Sequence, residues 1–451
     1  MKLRFLGGVD TVTGSRHLIE TATSRVLIDC GMYQGVKALR RRNWAPFPER
    51  PESIDAIVLT HAHIDHTGYL PLLVKRGFKG KIHCTQSTLE LCRVLLPDAG
   101  HLQEEDARYA NRKHFSRHEK AEPLFTVKDA LRALELFEAH PFDKPFSPVN
   151  EVDVSFSPAG HILGSACVRL SHGGKSIIFS GDVGRQNDPV MLPPVPLQSA
   201  DYLVLESTYG NRVHSTVDPE EALAEVINQT LAKGGIVLMP AFAVGRAQLL
   251  LYLIHELQKQ KRIPDVPVFL NSPMAITATE VFLRHHNEHR LDANQCHEID
   301  AGTTYVRTVE DAIELTARRL PAIIISASGM ASGGRVLHHL KALLPNHRNS
   351  VVFAGYQAPG TRGDAMVNGV DKVKIHGEYF PVKAMIYNLD SLSAHGDYEE
   401  ILTWLKQSSL QPRKVFITHG ETRASDAMRK HVEERLGWDA EVPELYSEVE
   451  L

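Results

Sequence analysis

Five short apolar runs in this sequence stop on, or just before, a side chain that can bind a metal or carry a proton. RVLIDCG (25–31) delivers Asp29, IDAIVLTH (54–61) His61, KSIIFSGD (175–182) Asp182, DYLVLEST (201–208) Glu206, and KVFITHG (414–420) His419. Apolar runs of about four to eight residues bounded by turn formers read as buried strands. The sheet fixes the point where such a strand stops, and the loop beyond it is free to carry chemistry. Repetition of this format constrains the chain to an α/β arrangement in which several strand ends share one edge. That edge would gather Asp29, His61, Asp182, Glu206 and His419 despite their separation in sequence.

Composition narrows the chemistry. The chain has 451 residues, 43% of them hydrophobic and 23% charged, which suits a folded protein of two domains or one domain with a large insertion. The opening KLRFLGG reads as a strand rather than a signal peptide, and no run is long enough to span a bilayer, so a cytoplasmic protein without membrane contact is expected. The five cysteines form no C-x-x-C pair, so any metal here is held by histidine and carboxylate. A net charge of −4 shows no basic surplus overall. Basic runs occur at 37–42, 112–120 and 258–262, and each reads most simply as a solvated face.

The densest cluster is THAHIDHTG, 60–68. A tight loop after a strand can turn His61 and His63 toward one point and Asp65 and His66 toward a second. Imidazole and carboxylate are ligands suited to Zn²⁺ and related divalent ions. Further ligands must come from elsewhere. SPAGHILGSA offers His161 in a glycine-flanked loop, IIFSGD offers Asp182 as a carboxylate able to bridge, and FITHGE offers His419. Taken singly, each also reads as a turn, cap or core residue; in order behind the loop they reinforce one another.

From 209 to 382 the texture changes to a βαβ series, including DPEEALAEVINQTLAKGG, IVLMP, GRAQLLLYLIHELQKQ, LPAIIISASG and NSVVFAG. Afterwards the first texture returns. The expected organisation is a first domain at 1–208, an inserted α/β domain at 209–382, and completion of the first domain by 383–451. The charged segment 98–150 reads either as a cover over a cleft or as a surface excursion.

Together Asp29, HAHIDH, His161, Asp182 and the late His419 resemble the metallo-β-lactamase superfamily. Glu206 ending a strand, His395 in SAHGD and the insertion at 209–382 narrow the resemblance to its β-CASP nucleases, the group of ribonuclease J and the pre-mRNA 3′-end processing endonuclease. The resemblance implies an αββα sandwich carrying an inserted α/β β-CASP domain. It implies two Zn²⁺, one on His61, His63, His161 and bridging Asp182, the other on Asp65, His66, Asp182 and His419, with Asp29 orienting ligands. It implies His395 as general acid held protonated by Glu206, and water as the nucleophile, giving 5′-phosphate and 3′-hydroxyl ends.

Single-stranded RNA in a slot between the domains is the expected substrate. Ser393 and the arginines Arg335, Arg246 and Arg362 are candidate contacts, as is the small-residue stretch SASGMASGGRVLHH. Each arginine reads more often as a surface residue. The chain starts at its first strand and stops soon after His419, which makes endonucleolytic cleavage the expectation; a homo-oligomer is compatible with the sequence. A hydrolase of DNA or of a small ester or thioester on the same core, and an inactive binding subunit, are the competing readings.

Overall fold

Two seven-stranded sheets form the first unit, which comprises Met1–Asp188, Leu192–Val213 and His395–Leu451. In the computed structural model, which describes residues 1–113, 120–215 and 217–451, one sheet runs in the order Glu448–Glu450, Lys2–Gly7, Arg16–Glu20, Arg25–Ile28, Ala56–Val58, Lys81–Thr85, Phe137–His140. The other runs Ala440–Glu441, Lys414–Thr418, Tyr202–Glu206, Lys175–Phe179, Ala166–His172, Val152–Pro158, Phe146–Val149. Alternate side chains of the two sheets, among them Phe5, Ile28, Val58, Phe156, Phe179, Val204 and Phe416, share one buried core. Each such burial contributes about 1.5–3 kcal/mol, which holds the sheets face to face. Helices Tyr398–Gln407 and Thr422–Leu436 cover the outer face of the second sheet through Ile401, Trp404, Leu405, Met428 and Val432. Helix Gln86–Lys113 lies against strands of the first. The result is an αββα sandwich.

The strands that carry the chemistry are parallel. Arg25–Ile28 pairs with Ala56–Val58, while Lys175–Phe179, Tyr202–Glu206 and Lys414–Thr418 pair in sequence across the second sheet. Glu206 stands in register with Thr418, so residues far apart in sequence leave the sheet side by side.

The second unit comprises Pro189–Met191 and His214–Ala394. Its six-stranded sheet, ordered Thr303–Tyr305, Val268–Leu270, Ala322–Ser326, Ile236–Pro240, Ser350–Ala354, Met385–Leu389, is parallel throughout, and Lys372–Ile375 pairs antiparallel with Glu378–Pro381 beside it in the chain. Their interior is built on Leu238, Ile324, Val351 and Phe353 with Val336, Leu340 and Leu343 of helix Val336–Leu343. Three segments fall differently from the sequence reading. Residues 209–213 stay with the first unit, while 189–191 and, at the far end, 383–394 belong to the second. The reason for the latter is Met385–Leu389, which pairs residue for residue with Ser350–Ala354.

Segment 98–150 closes part of helix Gln86–Lys113, forms helix Val127–Leu134, and supplies an edge strand to each sheet. Of the basic runs, 37–42 is a helix, and in 258–262 Lys259 pairs with Glu298 and Arg262 with Glu220 and Glu221. Most of 112–120 lies outside the described residues. Among the described residues no helix is long and apolar enough to cross a membrane.

Candidate metal centre

Directly after strand Arg25–Ile28 the chain turns sharply at Asp29, which takes the left-handed conformation with φ of 58°. This aims its carboxylate across the strand end. Oδ1 accepts the backbone N–H of Thr60 at 2.8 Å, and Oδ2 accepts the Thr60 hydroxyl at 2.8 Å and meets His66 Nδ1 at 2.7 Å. The ligand loop that follows Ala56–Val58 contains the one-turn helix Ile64–Thr67. It is stitched to neighbouring backbone by Ser15 N–H to Asp65 O, Cys30 N–H to His66 O and Met32 N–H to Ile64 O. Gly31 allows this closeness: a Cβ there would lie 1.6 Å from the Asp65 carbonyl oxygen.

Two groups of donors result. In the first, His63 Nδ1 stands 3.1 Å from His61 Nε2 and 3.2 Å from His161 Nε2. Asp182 Oδ2 lies 3.4 Å from His61 Nε2 and 3.6 Å from His161 Nε2. In the second, His66 Nε2 and His419 Nε2 are 3.2 Å apart, and Asp65 Oδ2 lies 3.5 Å from His419 Nε2. Asp182 Oδ1 stands 3.3 Å from both His66 Nε2 and His419 Nδ1. One carboxylate therefore presents an oxygen to each group.

The donor set fits divalent cations. A single proton can satisfy one pair of ring nitrogens, whereas the first group turns three on one point, an arrangement that a cation's demand for lone pairs explains. Asp182 Oδ1 is buried and makes no hydrogen bond among the described residues. Burial, then the neighbouring His66, lowers His61 well below its ordinary value. Burial likewise takes His63 to about 4, against the pull of Asp65. Both rings are thus neutral and offer lone pairs at physiological pH. At His66 burial opposes the charged ring, but Asp182 and Asp29 overcome it and raise the ring well above its usual value. That surplus of buried negative charge is what a cation would compensate.

Beside the donors, His395 Nδ1 lies 3.2 Å from each carboxylate oxygen of Glu206, and its ring is 4.4 Å from that of His161. Glu206 is fixed at the end of Tyr202–Glu206: Oε1 accepts Val183 N–H at 2.6 Å and Oε2 accepts Thr208 N–H at 3.3 Å. Burial disfavours the charged form of His395, yet the Glu206 carboxylate outweighs it and brings the ring to about 8.

Comparison with known proteins places most of the chain in known families. Residues 13–237 match the model of the metallo-beta-lactamase superfamily, 247–366 that of the Beta-Casp domain, and 379–443 that of a Zn-dependent metallo-hydrolase RNA specificity domain. The chain is 34% identical over 438 residues to a ribonuclease of Thermus thermophilus, covering 95% of each protein. The chain belongs to the β-CASP family of metallo-β-lactamase-fold hydrolases. Other relatives are an RNase J-like protein of Methanocaldococcus jannaschii, 30% identical over 93% of this chain and 92% of that one, and the transcription termination factor FttA of Methanosarcina mazei, 29% identical over 97% and 69%. A crystal structure of an Enterococcus faecalis protein of unknown function shares the fold with a TM-score of 0.54 at 12% identity, covering 99% of both chains.

The candidate substrate residues occupy the second unit, where their visible bonds are structural. Arg335 donates to Asn271 Oδ1 and to the carbonyls of Val306 and Arg307, and Arg362 donates to the carbonyls of Lys374, Ala331 and Ser332. Arg246 is buried at the start of helix Arg246–Lys259, and Ser393 is buried against Gly355. The two guanidinium groups thus brace loops of this β-CASP unit. Sequence reasoning missed Thr60, whose hydroxyl also lies 3.1 Å from His61 Nδ1, Thr208, 3.1 Å from His419 Nδ1, and Ser180, which accepts the Glu206 N–H. Each is a hydroxyl residue at a strand end within two positions of a candidate site residue (His61, Glu206 or Asp182), and that adjacency was the available signal.

Proposed function

We propose that this β-CASP chain is a zinc-dependent endoribonuclease that hydrolyses single-stranded RNA to 5′-phosphate and 3′-hydroxyl ends. The reading is carried by the way Asp182 serves two donor groups while the Glu206–His395 pair stands beside them. The RNA specificity model over 379–443 and the relatives named as ribonucleases support RNA as the polymer.

His61, His63, His161 and Asp182 would hold one Zn²⁺, and Asp65, His66, Asp182 and His419 the other. When bound, such a pair lowers the pKa of water to about 7 and neutralises charge on phosphate oxygens. The remaining work falls to the chain itself. Asp29 fixes the orientation of His66 through Nδ1, and Thr208 does the same for His419. With Nδ1 of His395 turned to Glu206, the proton for transfer sits on Nε2. The oxygen of water bonds to phosphorus with loss of one proton to solvent, the bond from phosphorus to the 3′ oxygen breaks, and that oxygen takes the proton from His395, which is reprotonated from solvent. Because water attacks, rather than the ribose 2′-hydroxyl, no cyclic phosphate forms and the downstream fragment begins with a 5′-phosphate.

The test is cleavage of internally and end-labelled single-stranded RNA by zinc-loaded wild type and His395→Ala, with end-group mapping. Internal cuts with 5′-phosphate ends, and most activity lost in the variant, are expected. Turnover of a thioester or lactam with no cleavage of RNA would overturn the reading, and mononucleotide release alone would overturn its endonucleolytic part.

A further inference from the structure

Between the strand end at Asp29 and the ligand loop, the chain makes an excursion that the metal chemistry does not use. Residues 34–43 leave the site, form helix Lys37–Arg42 with the sequence KALRRR, and return. The ends of the excursion are tied together. Tyr33 N–H donates to Asn43 Oδ1 at 2.9 Å and Asn43 Nδ2 donates to the Tyr33 carbonyl at 2.8 Å, with Asn43 buried. Gln34 N–H donates to Thr13 Oγ1. Below lies a floor in which the Arg16 guanidinium sits 4.1 Å from the ring centre of Tyr69, 5.1 Å from that of Tyr33 and 5.5 Å from that of Phe47. Arg16 is itself locked by two hydrogen bonds to the Gly31 carbonyl.

What this rigid base presents is Lys37, Arg40, Arg41 and Arg42, all exposed, followed by Trp44 with 56% of its surface in solvent. No hydrogen bond or ion pair to a carboxylate is formed by Lys37, Arg40 or Arg41 among the described residues; the acid nearest in effect is Asp106, which senses Arg40. Arg42 lies over Tyr33 at 5.4 Å. Exposed indole and cations thus stand side by side at the end of this excursion. It is the combination that holds single-stranded nucleic acid: cations for the backbone and an aromatic face for a base.

We infer that helix Lys37–Arg42 and Trp44 form a docking surface for single-stranded RNA, which feeds the strand toward the metal centre of the same unit. Position supports this. Met32 is bonded to Ile64 of the ligand loop, and the five residues from Met32 to Lys37 span at most about 18 Å. RNA bound on the helix is therefore within a few nucleotides of the reacting phosphate. An anionic bilayer is the other polyanion such a helix could meet, but the exposed positions of Lys37–Arg42 are mostly cations, and Val36 and Trp44 at its two ends do not make a continuous apolar face to insert.

The inference rests on the ribonuclease reading, and the experiment separates the two. Of the three tryptophans, Trp404 is fully buried and Trp438 partly so, which leaves Trp44 as the fluorophore a base can stack on. Titration of the full chain with a short oligouridine should quench its fluorescence, and Trp44→Phe should abolish the quench. The triple variant Lys37→Gln, Arg40→Gln, Arg41→Gln should weaken binding about tenfold and reduce the slope of log affinity against log salt by about 2. In cleavage, KM for RNA should rise about tenfold in the triple variant and in Trp44→Ala while kcat moves within about twofold. No quench, a quench that survives Trp44→Phe, displacement of the oligouridine by phosphatidylglycerol vesicles, or a loss confined to kcat would each overturn the docking surface. Wild type that binds with the quench but cuts no RNA would overturn the ribonuclease reading and leave the surface standing.

Discussion

Asp29 and His66 are joined through Oδ2 and Nδ1 at 2.7 Å, and this bond, made from a left-handed strand end, turns the opposite ring nitrogen of His66 toward Asp182 and His419. The carboxylate touches no reacting group. Its effect is on how well the second donor group is assembled before a cation arrives. Asp29→Asn should keep the Thr60 contacts in part, yet lower zinc affinity about 10- to 100-fold. Competition against a chelator of known affinity measures it; unchanged affinity would mean that the loop orients His66 unaided.

Asp182 and His63 should differ in how much metal they cost. His63 belongs to the first donor group alone, so His63→Ala should leave close to half of the zinc, whereas Asp182→Ala removes an oxygen from both groups and should leave little. Elemental analysis after dialysis reads the ratio directly. Equal loss in the two variants would refute the bridging role.

On the proposed mechanism, replacing His395 removes the proton donor while leaving every ligand of the two donor groups in place. His395→Ala should lower kcat about 10²- to 10⁴-fold with zinc content preserved. Glu206→Gln should act in the same direction with smaller magnitude, since the neutral amide no longer holds the charged ring. Loss of zinc in either variant would point to a role in assembling the centre instead.

His339, in the second unit, provides a pH-dependent stability. Asn271 Nδ2 donates to its Nε2 at 2.7 Å, and burial, reinforced by His338 and Arg335, lowers the ring from 6.5 to about 4. The unfolded chain therefore takes up the proton first as pH falls. The stability tied to a neutral His339 is complete above about pH 6.5, declines below it and is gone by about pH 4, amounting to roughly 3 kcal/mol at most. His339→Gln should be less stable than wild type at pH 8 but lose less on going to pH 5. Urea midpoints at the two pH values give the comparison, and parallel losses would show that the ring is charged when folded.

Much of the site was legible because strand ends announce themselves. Asp29, His61, Asp182, Glu206 and His419 all follow apolar runs, and the parallel pairing of Tyr202–Glu206 with Lys414–Thr418 brings the last two together as that format implies. The end of the βαβ series was less legible. MIYNL is too weakly apolar to declare which sheet it joins, and only pairing with Ser350–Ala354 assigns it. The arginines were misleading for a related reason: a guanidinium bracing loop carbonyls, as in Arg335 and Arg362, has the same sequence appearance as one awaiting a phosphate. Thr60 and Thr208 passed unnoticed because a hydroxyl becomes informative only once the ring nitrogen it faces is located.

The order in which the centre is completed has a bearing on the cell that makes it. Strand Lys414–Thr418 slots beside Tyr202–Glu206 only after the entire second unit has been synthesised, and His395 and His419 arrive later than every other member of the site. A nascent chain still on the ribosome can assemble His61, His63, His161 and Asp182, but it lacks the proton donor and the last ligand. On the proposed mechanism such a chain would be unable to cut RNA, including the message that encodes it, until translation is nearly finished.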